Sequence, residues 1–146
     1  MNKIGLSKEG TKKVAEHLLY TKLHNYHWNI EGHEFFAIHA KLEELYDGVA
    51  EEIDEVAERI LMIGHRPSAS MAAYLKKARL QEADSVAVRG NEVAKQLLAD
   101  YGVLVNALRS GIEVAQEAGD EVSVDLMIGS LAGYEKTMWM LDAFSK

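Results

Sequence analysis

The sequence predicts an all-α protein: a bundle of four long helices, with one short helix between the second and third. Three observations carry that reading. The 146 residues hold a single proline, Pro67, so little interrupts long helices. Hydrophobic residues make up 48% of the chain and fall in extended stretches, without the frequent turn signals that many short strands require. The strongest breaks, at Gly32, at Gly64 with Pro67, and at Gly119 with Asp120, divide the chain into segments of helix length.

Taken in order, Ser7 can cap a first helix that runs to about Ile30, where Gly32 breaks it. The second helix spans roughly His33 to Ile63 and ends at Gly64 and Pro67. Ser70 can cap a short helix, Met71 to Ala78, in the connection that follows. A third long helix begins between Val86 and Asn91 and runs to about Ala118, with Gly90 leaving its start the least defined boundary. After the break at Gly119, the fourth extends from about Glu121 to Phe144. Four long antiparallel segments make a helical bundle. The chain length suits one domain, 1–146, with its own core.

Composition removes several function classes. There is no cysteine, which excludes disulfides, thiolate metal sites and cysteine nucleophiles. Met1 to Gly10 lacks the apolar run of a signal peptide, and no stretch reaches transmembrane length. A soluble, cytoplasmic protein with no membrane partner is the expectation. The net charge is −7, and neither end carries a basic arm, so DNA binding is expected to be weak or absent. An acidic balance favours cations and, more generally, solubility.

The second helix carries the chemistry. Ile38, Leu42, Leu45, Val49, Ile53, Val56 and Ile60 fall on one face and would pack inside the bundle. Beside them runs a second stripe of His39, Glu43, Tyr46, Ala50, Asp54, Ala57, Glu58 and Leu61. Acids on a long helix ordinarily form its wet face, and a lone histidine has many roles. The joint spacing is what points further. His39, Glu43, Asp54 and Glu58 gather within an arc of about 100°. With His27 a short way upstream, they make a mixed nitrogen and oxygen donor set suited to iron and similar divalent metals. Yet His39 and Asp54 stand about 22 Å apart along one helix at its standard rise. They cannot hold the same metal within one subunit. Antiparallel pairing of this stripe with its own copy, centred near residues 47–48, would put His39 opposite Asp54 and Glu58, with Gly48 near the centre. A two-fold contact must be self-complementary, and this one would be. A dimer follows, with two metal sites each built from both chains.

The run His27-Trp28-Asn29-Ile30-Glu31-Gly32-His33-Glu34-Phe35-Phe36-Ala37-Ile38-His39, followed by Asp54-Glu55-Val56-Ala57-Glu58-Arg59-Ile60, strongly resembles the Dps family, the mini-ferritins. The family pattern is a His-Trp pair, a second histidine twelve residues after the first, and Asp-x-x-x-Glu-Arg fifteen further on, all present here. The likeness continues to Lys136-Thr137-Met138-Trp139-Met140-Leu141 and so covers nearly the whole chain.

The resemblance implies a ferritin-like four-helix bundle assembled as a hollow homododecamer, with a di-iron ferroxidase site at each two-fold interface. It implies that His27 and His39 come from one subunit, and Asp54 and Glu58 from its partner. Glu58 would bridge the irons, His27 and Asp54 would complete the tighter one, and His39 the weaker. Glu43 stands where many relatives have aspartate, and its longer side chain leaves direct and water-mediated contact both open. The implied activity is oxidation of Fe(II) by hydrogen peroxide or dioxygen, with the ferric product stored as mineral. Paired metals about 3.5–4 Å apart can act together on one small substrate. A pair delivers two electrons to peroxide and yields water, whereas a single Fe(II) releases hydroxyl radical.

Other residues carry two readings each. Trp28 adjoins a ligand and reads first as an aromatic filling the interface, second as an electron donor. His24, one turn from His27, could support it from behind. Asp120, Glu121 and Asp125 fall where the family places acidic pores for iron, but acids at a helix N-terminus also complement its dipole. Met62, Met71, Met127, Met138 and Met140 read as core or interface filler. A ferritin of twenty-four subunits would use Glu-x-x-His pairs inside one bundle, and no histidine here has a glutamate three residues before it. The alternative from a different class is a non-enzymatic, nucleoid-associated protein that shields DNA by binding it.

Overall fold

The computed structural model describes the backbone of residues 3–146 and side chains from residue 15 onward. Among the described residues the order is α1 (Lys3–Asn29), β1 (Ile30–Glu31), α2 (Phe35–Met62), α3 (Met71–Lys77), β2 (Val88–Arg89), α4 (Gly90–Glu117) and α5 (Glu121–Phe144). α1 packs on α2 and α4 on α5 as two hairpins, and α1 also packs against α4. No described helix is long and apolar enough to cross a membrane.

The connection from α2 to α4 sets the topology. α2 is about 42 Å long at the standard rise, and residues 63–89 return over that length. α4 therefore starts beside the end of α1. The strands record the meeting as a parallel pair, Ile30 opposite Val88 and Glu31 opposite Arg89. Asn25 of α1 holds the same stretch, its amide donating to the carbonyls of Ala83 (2.9 Å) and Asp84 (3.2 Å). α3 docks on α1 through buried Tyr74, whose ring stacks on His17 at 4.0 Å.

The α2 stripe behaves as its spacing predicts. Ile38, Leu42, Leu45, Val49, Val56 and Ile60 are buried, and Ile53 is half-buried. Ile38, Leu42, Leu45 and Val49 join Leu19 and Leu23 of α1 and Leu97, Leu104 and Leu108 of α4 in one core. Each fully buried aliphatic of this size stabilises by roughly 1.5–3 kcal/mol. Met127 is in that core and Met138 packs against it, while Met62, Met71 and Met140 are exposed. Two polar groups of residues are enclosed as well. Lys22 of α1 pairs with Asp100 of α4 at 2.6 Å, their side chains 6% and 10% exposed. Burial, then the Asp100 charge, pushes the neighbouring Tyr26 phenol up to about 12. The Tyr134 hydroxyl donates to Glu16 (2.8 Å) and is shared with Glu52, joining α5, α1 and α2.

Helix boundaries follow local chemistry. Gly64 (φ 85°) and Gly119 (φ 69°) take the left-handed conformation that ends α2 and α4. Ser70 caps α3, its hydroxyl accepting from the Ala73 amide at 3.3 Å. Gly90 opens α4 because a Cβ there would lie 3.1 Å from the Phe144 ring. Two expectations are corrected. α1 is already helical at Lys3, so Ser7 lies within it and is not its N-cap. No proline precedes Ser7, and extending a helix costs far less than starting one. α2 begins at Phe35, two residues late, because 32–34 form the turn that reverses the chain.

Asp120 caps α5 and clasps it to α2. Its carboxylate accepts from the Ser123 amide (3.2 Å), the Ser123 hydroxyl (2.6 Å) and the Arg59 guanidinium (2.6 Å). Partial burial pushes its pKa up, but the Ser123 hydrogen bonds and the Arg59 charge outweigh this and hold it below the ordinary value. With the folded value lowered, the stabilisation is complete above the unfolded value of roughly 4 and is lost as pH falls through the folded one. Asp120→Ala is expected to cost about 0.5–2 kcal/mol at neutral pH, a deficit that shrinks in acid. Urea unfolding at neutral and strongly acidic pH checks it, and an unchanging deficit would assign the loss to another cause.

Candidate metal centre

His27 closes the last turn of α1, and His39 lies in the second turn of α2. The turn between them folds the rings together, stacked with centroids 3.6 Å apart and planes at 19°. Each ring bonds the other residue's main chain. His27 Nδ1 donates to the His39 carbonyl at 2.8 Å, and His39 Nδ1 donates to the His27 carbonyl at 2.9 Å. A carbonyl only accepts, so each neutral ring carries its proton on Nδ1 and keeps a lone pair on Nε2. That tautomer is the one a metal ligand needs, and a carbonyl behind the ring is its usual support. His27 is buried and His39 half-buried.

Aromatic rings frame the pair. Phe35 stacks on His39 at 4.9 Å, and Tyr46 stands edge-on to His27 at 5.3 Å and 89°. Tyr46 also stacks on His24 (3.9 Å, 20°), whose Nδ1 donates to the Tyr20 carbonyl at 2.9 Å. His24 thus reaches His27 through Tyr46. Burial, then the charges of Glu43 and Asp47, holds the Tyr46 phenol above its ordinary value. Trp28 leans on His24 at 5.2 Å and is 71% exposed, outside the core of the single chain.

Asp54 and Glu58 sit one turn apart on α2, both exposed, as is Glu43 one turn from His39. Among the described residues, no three of His, Asp and Glu within the chain gather into a group able to hold a metal. The chain joins His27 to His39 and leaves the carboxylate pair about 22 Å further along α2. Between them, Gly48 is exposed, and a Cβ there would meet nothing within 4 Å among the described residues. Its small size answers no crowding among the described residues. Arg59, next to Glu58, turns to Ser123 and Asp120, so Asp120 is committed to the α5 cap. Glu121 and Asp125 are exposed on the first turns of α5.

Phe35 and Tyr46 are neighbours that sequence reasoning did not assign. Phe35 stands four residues before His39 and Tyr46 seven after it, both helical contact spacings that could have marked them. As a donor set, two imidazole lone pairs with exposed carboxylates fit divalent iron.

Residues 14–146 match the ferritin-like domain family. The chain is 43% identical over 134 residues to DNA protection during starvation protein 2 of Bacillus anthracis, covering 91% of each sequence. The crystal structure of Dps from Staphylococcus aureus is similar with a TM-score of 0.93 and 35% identity, covering 99% of this chain and 97% of that one. A DPS protein from Vibrio cholerae O1, described as a member of a broad superfamily of ferritin-like diiron-carboxylate proteins, gives 0.92 and 37%, covering 99% and 89%. With this bundle, the short helix in its crossover and these relatives, the chain belongs to the Dps family of ferritin-like proteins.

Proposed function

We propose that this protein oxidises Fe(II) at sites shared between two copies of the chain and stores the ferric product inside a dodecameric shell. The observation that carries the reading is the His27–His39 pair, locked through main-chain carbonyls so that both Nε2 lone pairs stay available. Asp54 and Glu58 lie on the same helix as His39, at the distance a two-fold partner would span. Two Fe(II) ions are the substrate. Together they give two electrons to one hydrogen peroxide, whose O–O bond breaks and which takes up two protons to leave as water. His27 with Asp54 would hold the tighter ion and His39 the weaker, and the Glu58 carboxylate would serve both. The carboxylates favour the ferric product, and Glu43 stands ready beside His39, directly or through water. Glu121 and Asp125 are the exposed acids for a pore into the shell, beside Asp120. Trp28 and His24 back the site from α1. The assembly belongs in the cytoplasm.

Fe(II) oxidation by stoichiometric peroxide, in intact shells, compares wild type with Asp54→Asn. Outer partners of metal ligands are worth about 10–100-fold, so loss of a ligand is expected to slow oxidation by about 100-fold or more. Equal rates would leave the constellation structural. With a net charge of −7, a gel shift at low salt is expected to leave DNA unretarded. A retarded band there would favour the DNA-shielding alternative.

A further inference from the structure

We infer that Phe36 and Leu61 form an apolar clasp between two copies of the chain, Phe36 of each packing on Leu61 of the other and closing the outer side of the shared site. This rests on the two-fold reading of that site. Phe36 is 84% exposed and Leu61 53% exposed in the single chain, unusual for large apolar side chains on a helix whose other apolar face is buried. Both lie on the ligand stripe. At 100° per residue, Phe36 stands about 60° and Leu61 about 40° round the helix from His39.

The register is the argument. About a two-fold axis, each step toward the N-terminus on one copy is matched by a step toward the C-terminus on the other. The pairing that sets His39 against Glu58 of a second copy therefore sets Phe36, three residues earlier, against Leu61, three residues later. No slip or bend is needed. The occupant is a second copy because the face is self-complementary about its middle. There, Gly48 presents no side chain, and a Cβ at its position would meet nothing within 4 Å among the described residues. Phe36 also connects inward, edge-on to Phe35 at 5.4 Å, and Phe35 stacks on the ligand His39 at 4.9 Å. Pressing Leu61 onto Phe36 thus keeps water from the outer side of a ligating ring, where lower polarity strengthens each charge interaction.

The chain has no cysteine, so a pair introduced as Phe36→Cys with Leu61→Cys reports on this contact alone. Twenty-five positions along one helix is about 37 Å, which forbids a bridge within a chain. The same separation divides like residues across the axis. Oxidation, or a short bis-maleimide, is expected to convert most of the double variant to a covalent dimer on a denaturing gel and neither single variant. Both side chains are exposed, and unfolding and refolding the two single variants together in equal amounts gives the same readout from the mixed dimers should the double variant misfold. Absence of the dimer in both formats, or equal dimer in a single variant, overturns the clasp. Iron oxidation by the unaltered protein is read separately. Slow oxidation with a covalent dimer removes the ferroxidase reading and keeps the clasp, while fast oxidation without one removes the clasp alone.

Discussion

Mixing two inactive forms of the chain is expected to restore iron oxidation. One form carries His27→Gln and His39→Gln, the other Asp54→Asn and Glu58→Gln. Each alone should fall by about 100-fold or more, on the same reasoning as for a single ligand. When the two are unfolded and refolded together, one site of each mixed dimer collects both lesions and the other collects neither. Random pairing makes half of the dimers mixed, so about a quarter of all sites become intact and about a quarter of the wild-type rate returns. Stopped-flow oxidation with peroxide reads the recovery, and native mass spectrometry verifies that mixed dimers are present. Mixed dimers without recovery would mean that the histidines of one copy do not face the carboxylates of the other.

The largest loss of stability is expected at Lys22. Its ammonium and the Asp100 carboxylate are both enclosed between α1 and α4, 2.6 Å apart. Removing one partner of such a pair strands the other charge and costs about 3–5 kcal/mol. Lys22→Met should show that deficit by urea or thermal unfolding, and Lys22→Met with Asp100→Leu should recover most of it. The pH dependence has a definite sign. Burial raises the Asp100 pKa even though its hydrogen bond and ion pair with Lys22 lower it. A carboxyl with a raised folded value favours the fold while protonated, and that contribution is lost as pH rises from the unfolded value through the folded one. Without Lys22 the rise is larger, so the Lys22→Met deficit should be smaller in mild acid than at mildly alkaline pH. A double variant no better than the single would show that the pair is not the source.

Much of this architecture could be read from residue order. Gly64 and Gly119 end helices for local reasons, and local reasons are written in neighbouring residues. The buried stripe of α2 is likewise a property of one helix. What escaped depends on residues distant in sequence. Nothing near Ile30 announces that Val88 will lie beside it, because that pairing is made by the return of the whole connection. Nothing beside Lys22 or Glu16 in the sequence marks them as buried, and only packing against α4 and α5 encloses them. The start of α4 stayed open because Gly90 answers to Phe144 at the other end of the chain. The meeting of His27 with His39 could be expected from the family pattern, but the reciprocal carbonyl bonds could not, since they depend on how residues 30–34 turn.

Those bonds bear on when the site is made. Neither imidazole can rotate without breaking its own bond to the other residue's carbonyl and the stack of the two rings, so the rotors of both are frozen as the first hairpin closes. The entropic cost of arranging the two imidazoles is therefore met during folding of the monomer, before the arrival of any cation that the proposed site would take. Affinity at the histidine half is in this way separated from the act of capture. On the proposed reading, a change in the length of the 30–34 turn would weaken capture as surely as loss of a ligand, while altering none of the proposed ligands.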